Sequence, residues 1–304
     1  MRVPPWTLPI ASMFSVQLGS ALSVGLIGQV GAAGTAWLRL TVGAVIFMAL
    51  APPPLKSIRR ADLPVLLGLG VATGLTTIGF LAALDRIPLG TAVAIEFLGP
   101  LTVAAVRSHH PRMLVWPALA LVGVVLMTRP WKGEVNAAGV AFALLAAVGW
   151  GVYIVLTQPL GDRFEGFSGL SLTIPIAAVT AAIFGVPQAM GHLTWSILLT
   201  AVGLAILLPV LPYALELLAL REMTAHAFGT LMALEPAFAL LLGAVVLSQI
   251  PQVWQVAGIL LVVLAGAGAQ RGGRRPTTEE SVPTSTCGRS IRTARRGHHI
   301  PCAD

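Results

Sequence analysis

The fifty residues from Gly166 to Leu215 contain no Asp, Glu, Lys or Arg, and this run narrows the possible folds more than any other feature of the chain. As one helix rising about 1.5 Å per residue it would be about 75 Å long, against a bilayer hydrocarbon core of about 30 Å. It therefore has to hold two spans, with the break expected near Gly191-His192. Two shorter charge-free runs, Leu63–Leu84 and Val135–Gly161, are of single-span length. Hydrophobic residues make up 56% of the chain and charged residues 10%, with a mean hydropathy of +0.85. A soluble domain carries about 25% charge, so this is a polytopic membrane protein. Helix is the state expected of its spans, because unpaired backbone in lipid is too costly and the alternation of a barrel strand is missing.

Ten spans satisfy the spacing: about 8–28, 33–51, 62–84, 88–107, 112–129, 137–157, 169–190, 194–220, 224–247 and 252–270. Gly/Pro-rich or charged separators divide them, among them GQVGAAG, APPPLKSIRR, RSHHPR and RPWKGEVN. The first run has the outline of a signal peptide, Met1-Arg2 then apolar and small residues. It also fits a spanning helix, and equally apolar segments continue to residue 270. With the N-terminus inside, the cytoplasmic loops carry Lys56, Arg59, Arg60, Arg107, Arg112, Arg163 and Arg221, and the opposite loops Arg86, Arg129 and Lys132. Arg2 and seven tail arginines add to the inner count, so the positive-inside rule predicts both termini in the cytoplasm. That orientation agrees with an even number of spans.

Five spans per half make the second half start from the opposite side, so residues 1–130 and 131–270 are expected to form two inverted five-helix repeats, a transporter architecture. Residues 271–304, rich in Arg, Thr, Ser, Gly and Pro, read as a disordered basic cytoplasmic tail, solvated or weakly attracted to anionic lipid. Cys287 and Cys302 both fall there, which leaves no thiolate metal site or disulfide within the membrane. The excess positive charge serves topology, so nucleic acid is not an expected partner. Membrane lipid is, and a homodimer is compatible with the sequence.

The internal repeat is legible at an offset of 136 residues. Ala83-Leu84 falls on Ala219-Leu220, Leu98 on Leu234 and Pro100 on Pro236, while Glu96 falls on Met232, one helical turn from Glu235. Glu96 lies mid-span and too deep to reach water easily. Pro100 cannot donate the helical hydrogen bond to the Glu96 carbonyl, so the turn opens where the carboxylate sits. Pro236 does the same to the Met232 carbonyl, with Glu235 beside it. Such breaks are tolerated where backbone lines a cavity or another helix satisfies it. The competing reading is a structural kink with protonated, hydrogen-bonded carboxyls.

Arg39 lies about two turns into the second span, where an ionised side chain costs about 2.5 to 3.5 kcal/mol unless it snorkels, pairs or lines water. It either snorkels to the outer side or faces the bundle centre to hold a carboxylate or pair with a Glu. Glu216 follows LLPVLPY, loosened by Pro209 and Pro212, but stands only a turn or so from Arg221-Glu222; an interfacial position is an even alternative. Tyr213, Tyr153, Trp150 and Gln17 place polar or aromatic groups on apolar helices, as cavity lining, interface anchors or helix–helix contacts. No HExxH, GxSxG, P-loop or GxGxxG is set in the context it needs, and His109-His110 and His298-His299 sit in loop or tail without acidic partners. No enzyme, metal site or cofactor is therefore expected. A membrane-embedded enzyme or lipid-handling protein, the alternative class, would need a nucleophile or metal set that the sequence does not contain.

The strings LRLTVGA around Arg39, PLGTAVAIEFLGPLTVA around Glu96, GWGVYI around Tyr153 and LPYALELLALREMTAHAFGTLMALEPA resemble the threonine/homoserine exporters of the EamA-type branch of the drug/metabolite transporter superfamily. The similarity runs from about residue 8 to 270. It implies ten helices in two inverted five-helix repeats and export of amino acids or related metabolites across the inner membrane, driven by an ion gradient. In that reading Glu96 and Glu235 are midplane carboxylates whose burial favours the neutral form and lets them carry a proton. Arg39 receives the substrate carboxylate and a Glu its ammonium group, while the two halves rock to expose the site to each side in turn.

Overall fold

The computed structural model describes residues 4–52, 56, 58–107, 111–129, 136–161 and 167–272. Arg2, Lys132, Arg163, His109-His110 and the tail with Cys287, Cys302 and His298-His299 lie outside the described residues. The described residues form helices and no strand, and nine stretches are long and apolar enough to cross a membrane. In chain order the α-helices are α1 (Thr7–Leu50), α2 (Leu63–Leu84), α3 (Leu89–Glu96), α4 (Leu98–Arg107), α5 (Val115–Thr128), α6 (Ala137–Gly161), α7 (Ser168–Ala189), α8 (Trp195–Ala205), α9 (Leu211–Glu222), α10 (Ala225–Met232), α11 (Glu235–Val246) and α12 (Val253–Gly272). The long charge-free run divides after Ala189, where Gly191 turns the chain with a left-handed φ of 85°.

α1 joins what the sequence divides into two spans and a loop. Its 44 residues would measure about 66 Å if straight, but Gly31 interrupts them with φ 76°, ψ 167°, a backbone region essentially closed to side chains. The chain turns back on itself there. Arg39 Nη1 donates to Ser23 Oγ at 2.9 Å, whereas sixteen residues of straight helix would separate the two by about 24 Å. The expected loop through GQVGAAG is thus corrected to a one-residue break. A side chain from another helix supports it: Gln188 Oε1 on α7 accepts from the Ala33 and Gly34 amides at 3.0 and 3.3 Å. Two amide groups that the break leaves without helical partners are satisfied in this way.

Three further breaks lie in other spans. α3 stops at Glu96 and α4 starts at Leu98, two residues before Pro100. α10 stops at Met232, and α11 starts at Glu235 followed by Pro236. α3 and α10 are each eight residues long and stand 136 residues apart at both ends. Between α8 and α9 the helix widens over Ile206–Val210, and Leu208 is extended at φ −160°, ψ 110° before Pro209.

Lipid tails are as apolar as leucine side chains, so these helices associate by close packing and polar contacts. α1 packs on α7, α2 on α6 and α7, and α5 on α12. At Gly74 a Cβ would meet the Ala177 carbonyl and the Thr180 side chain, so α2 and α7 approach each other closely. Val148, Val179, Ile183 and Val245 remain exposed on the outer faces. The interior holds Leu81, Leu89, Ile95 and Ile174 together with a band of polar groups on α1.

Candidate functional site

The helix breaks surround one cavity of about 210 Å³, room for roughly seven waters at about 30 Å³ each. Its wall takes Gln17 and Ser20 from the first half of α1, Arg39 from the second, Thr73, Thr76 and Thr77 from α2, and Glu96 from the end of α3. Trp150 and Tyr153 of α6, Leu208 and Pro209 at the extended break, Tyr213 of α9 and Glu235 at the start of α11 line it too, with apolar side chains such as Phe80 and Ile174 between them. Seven of the eight residues singled out from the sequence therefore share one wall.

Arg39 is buried, with 4% of its surface exposed, and does not snorkel. Ser23, which takes its Nη1 hydrogen bond, donates in turn to the Gly19 carbonyl at 2.6 Å. Arg39 Nε has no hydrogen-bond partner, and among the described residues no carboxylate forms an ion pair with Arg39. A buried guanidinium without a carboxylate pays most of its desolvation cost uncompensated, which is uncommon unless a ligand or water supplies the partner.

Gln17 and Glu235 add acceptor oxygens to the same lining. Gln17 Nε2 donates to Glu235 Oε1 at 3.2 Å, so the amide is oriented by the carboxyl. That leaves Gln17 Oε1 and Glu235 Oε2 buried and unpartnered. Glu96 is half-buried on the same wall, beside Phe97, whose ring meets Trp150 edge-on at 6.1 Å. Tyr153 and Tyr213 both line the cavity, and Tyr213 stands edge-on to Phe47 at 6.0 Å. They are the two tyrosines of the whole chain.

Glu216 is not part of this wall. Ser12 Oγ donates to its Oε1 at 2.8 Å, tying α9 to the start of α1. Sequence reasoning also passed over the serines of α1. Ser12 holds Glu216, Ser15 donates to the Leu207 carbonyl at 2.7 Å, Ser23 holds Arg39, and Ser20 lines the cavity with its hydroxyl unpartnered. The signal was present in SMFSVQLGSALS, where Gln17, Ser20 and Ser23 recur every third residue along one stripe of the helix. Thr76 on α2 was likewise unmarked, and its buried hydroxyl is also unpartnered. Among the described residues no three His, Cys, Asp or Glu side chains converge to hold a metal.

The lining thus combines a donor cation, acceptor oxygens and two carboxyl groups around a cavity of about 210 Å³. Comparison with known proteins agrees with a transport role. The EamA-like transporter family profile matches residues 137–268. The chain is 34% identical over 288 residues to the threonine/homoserine exporter RhtA of Salmonella typhimurium (strain SL1344), covering 90% of this chain and 95% of that one. It is 34% identical over 282 residues to the Escherichia coli (strain K12) threonine/homoserine exporter RhtA, covering 88% and 92%. A solved crystal structure superposes with a TM-score of 0.57 at 20% identity, covering 86% of this chain and 96% of the other, which supports the fold.

Proposed function

This chain belongs to the EamA-like transporter family, as a relative of the RhtA exporters, and from that premise we propose that it is a secondary transporter exporting small amino acids of the threonine/homoserine kind, or related metabolites. It is a multi-pass membrane protein and a transporter, not an enzyme. One observation carries the proposal. A buried arginine with no carboxylate partner faces the same small cavity as Glu96 and Glu235. Arg39 takes the substrate carboxylate and a glutamate takes the ammonium group. Glu96 and Glu235 exchange the coupling proton.

The finer architecture follows from the same reading. Counting the two arms of α1 on either side of Gly31 gives ten crossings. The shared 136-residue spacing of α3 and α10 then supports two five-helix repeats of opposite orientation. Both termini lie in the cytoplasm, by the loop charges, and the host membrane is the cell's inner membrane. Rocking of one repeat against the other exposes the cavity to each side in turn.

The test is efflux of a panel of labelled amino acids from vesicles bearing an imposed pH gradient. Flux of a small hydroxy amino acid that collapses with the gradient is expected. If none of the panel moves in a pH-dependent way, the proposal fails.

A further inference from the structure

Between α4, α5 and α6 lies a second hollow, a groove of about 710 Å³ against about 210 Å³ for the central cavity. Leu121, Val148 and Val152 are exposed along it, so it opens to the outer surface of the bundle. Small residues bring two of its helices together: a Cβ on Gly99 would meet the Ala147 carbonyl, and one on Gly151 would meet Val103 Cγ2 at 3.4 Å. Thr102 is the polar side chain of the lining, and its hydroxyl donates to the Leu98 carbonyl at 2.7 Å. The lining side chains thus leave no free hydrogen bond for an occupant. An apolar hollow of this kind stays dry, so water is not what fills it.

The same contacts fix the direction of the groove. Gly99 meets Ala147 and, four residues on in both helices, Val103 meets Gly151, so α4 and α6 run the same way. Another four residues place Arg107, the last residue of α4, level with Val155 at the end of the groove. Arg112 comes to this end from the other side of the α4–α5 turn, five residues before Pro117. Both arginines are exposed. From Leu144 to Leu156 the groove follows about 18 Å of α6, against about 15 Å for one leaflet of a hydrocarbon core about 30 Å thick.

We propose that this groove is a binding site for one acyl chain of an acidic phospholipid, with Arg107 and Arg112 at the level of its phosphate. The proposal stands apart from the exporter reading. An alkyl chain matches a lining that offers it only apolar contact over one leaflet, and guanidinium groups at the membrane surface favour an anionic head group. A second copy of the chain fits less well. Two copies inserted the same way pair about an axis normal to the membrane, which would set their Arg107 and Arg112 pairs at one depth, like charge against like. The site also lies behind the substrate cavity. On α6, Trp150 and Tyr153 line the cavity while Gly151 and Val152 line the groove, so the bound chain rests on the back of that wall.

The experiment uses the full chain in phosphatidylcholine nanodiscs doped with phosphatidylglycerol, or with phosphatidylcholine as control, carrying a photoreactive diazirine on one acyl chain. Labelled peptides are mapped by mass. Label from phosphatidylglycerol is expected to concentrate on residues 98–103, 117–121 and 144–156, at least about fivefold above label from the control lipid. Arg107→Gln combined with Arg112→Gln should bring the two lipids to within about twofold of each other. Gly151→Leu, which puts a side chain into the groove, should cut label from both about tenfold. Equal labelling of the groove by the two lipids overturns the proposal, as does label spread evenly over other exposed faces such as that of α8. A cross-link between two copies through the groove, in place of lipid label, also overturns it. Should Gly151→Leu not insert, the comparison of the two lipids on the unaltered chain decides the question. The readout needs no transport, so its failure leaves the exporter reading standing, and the reverse holds too.

Discussion

Ser23 and Arg39 stand eight residues to either side of Gly31 and meet across the turn in a 2.9 Å hydrogen bond. The residue that reverses the chain therefore also assembles the cavity, because it brings the stripe on the first arm of α1 against the guanidinium on the second.

Gly31→Ala is expected to destabilise the protein. A Cβ at φ 76°, ψ 167° is strained by about 1 to 3 kcal/mol, and it would also press on the Gln188 side chain that satisfies the Ala33 and Gly34 amides. The apparent Tm in detergent should fall by about 5 °C. An unshifted melting curve would show that the turn tolerates a side chain.

Arg39→Lys keeps the charge but replaces a planar group that bonds Ser23 and lines the cavity by a point charge. Transport should lose at least about tenfold in kcat/KM, mostly through KM, at normal membrane abundance. Wild-type kinetics in Arg39→Lys would remove the guanidinium geometry from substrate binding.

Glu96→Gln separates coupling from binding. The amide keeps the volume of the carboxyl but releases no proton, so gradient-driven efflux should fall about 100-fold while exchange of labelled for unlabelled substrate persists. Glu96→Asp, which still titrates, should keep part of the driven flux. A structural carboxyl predicts the reverse order, since a neutral amide suits a dry contact and the shorter reach of Asp would be the larger fault. Driven efflux of both variants, measured at matched abundance, discriminates the two.

Glu216→Gln should leave the KM for efflux within about twofold, under about 0.5 kcal/mol. Its carboxyl lies outside the cavity wall, and an amide oxygen can still accept from Ser12. A tenfold rise in KM would bring Glu216 into the binding site.

Much of this was readable in the chain because hydropathy reports burial in lipid and proline reports missing amide donors. Pro100 and Pro236 announced the breaks beside Glu96 and Glu235, and length alone required the turn near Gly191. The Gly31 break was placed as a loop because GQVGAAG has the composition of one. What keeps α1 helical almost up to the break is Gln188, a contact 155 residues away from Ala33 in sequence. The serines of α1 escaped notice for a different reason. A hydroxyl that can bond its own helix costs little in lipid, so hydropathy does not flag it, and only packing decides which hydroxyls face a cavity. Glu216 and Glu235 look alike in sequence, and the contact each makes with α1, through Ser12 or Gln17, separates them.

The placement of Tyr153 and Tyr213 on the cavity lining has a practical side. Since the chain contains no other tyrosine, a fluorinated tyrosine supplied during expression would label this wall and nothing else. Two fluorine resonances would then report on the interior of a 304-residue membrane protein without any substitution in its sequence. Changes in the shape or occupancy of the cavity would be followed at two rings of its lining.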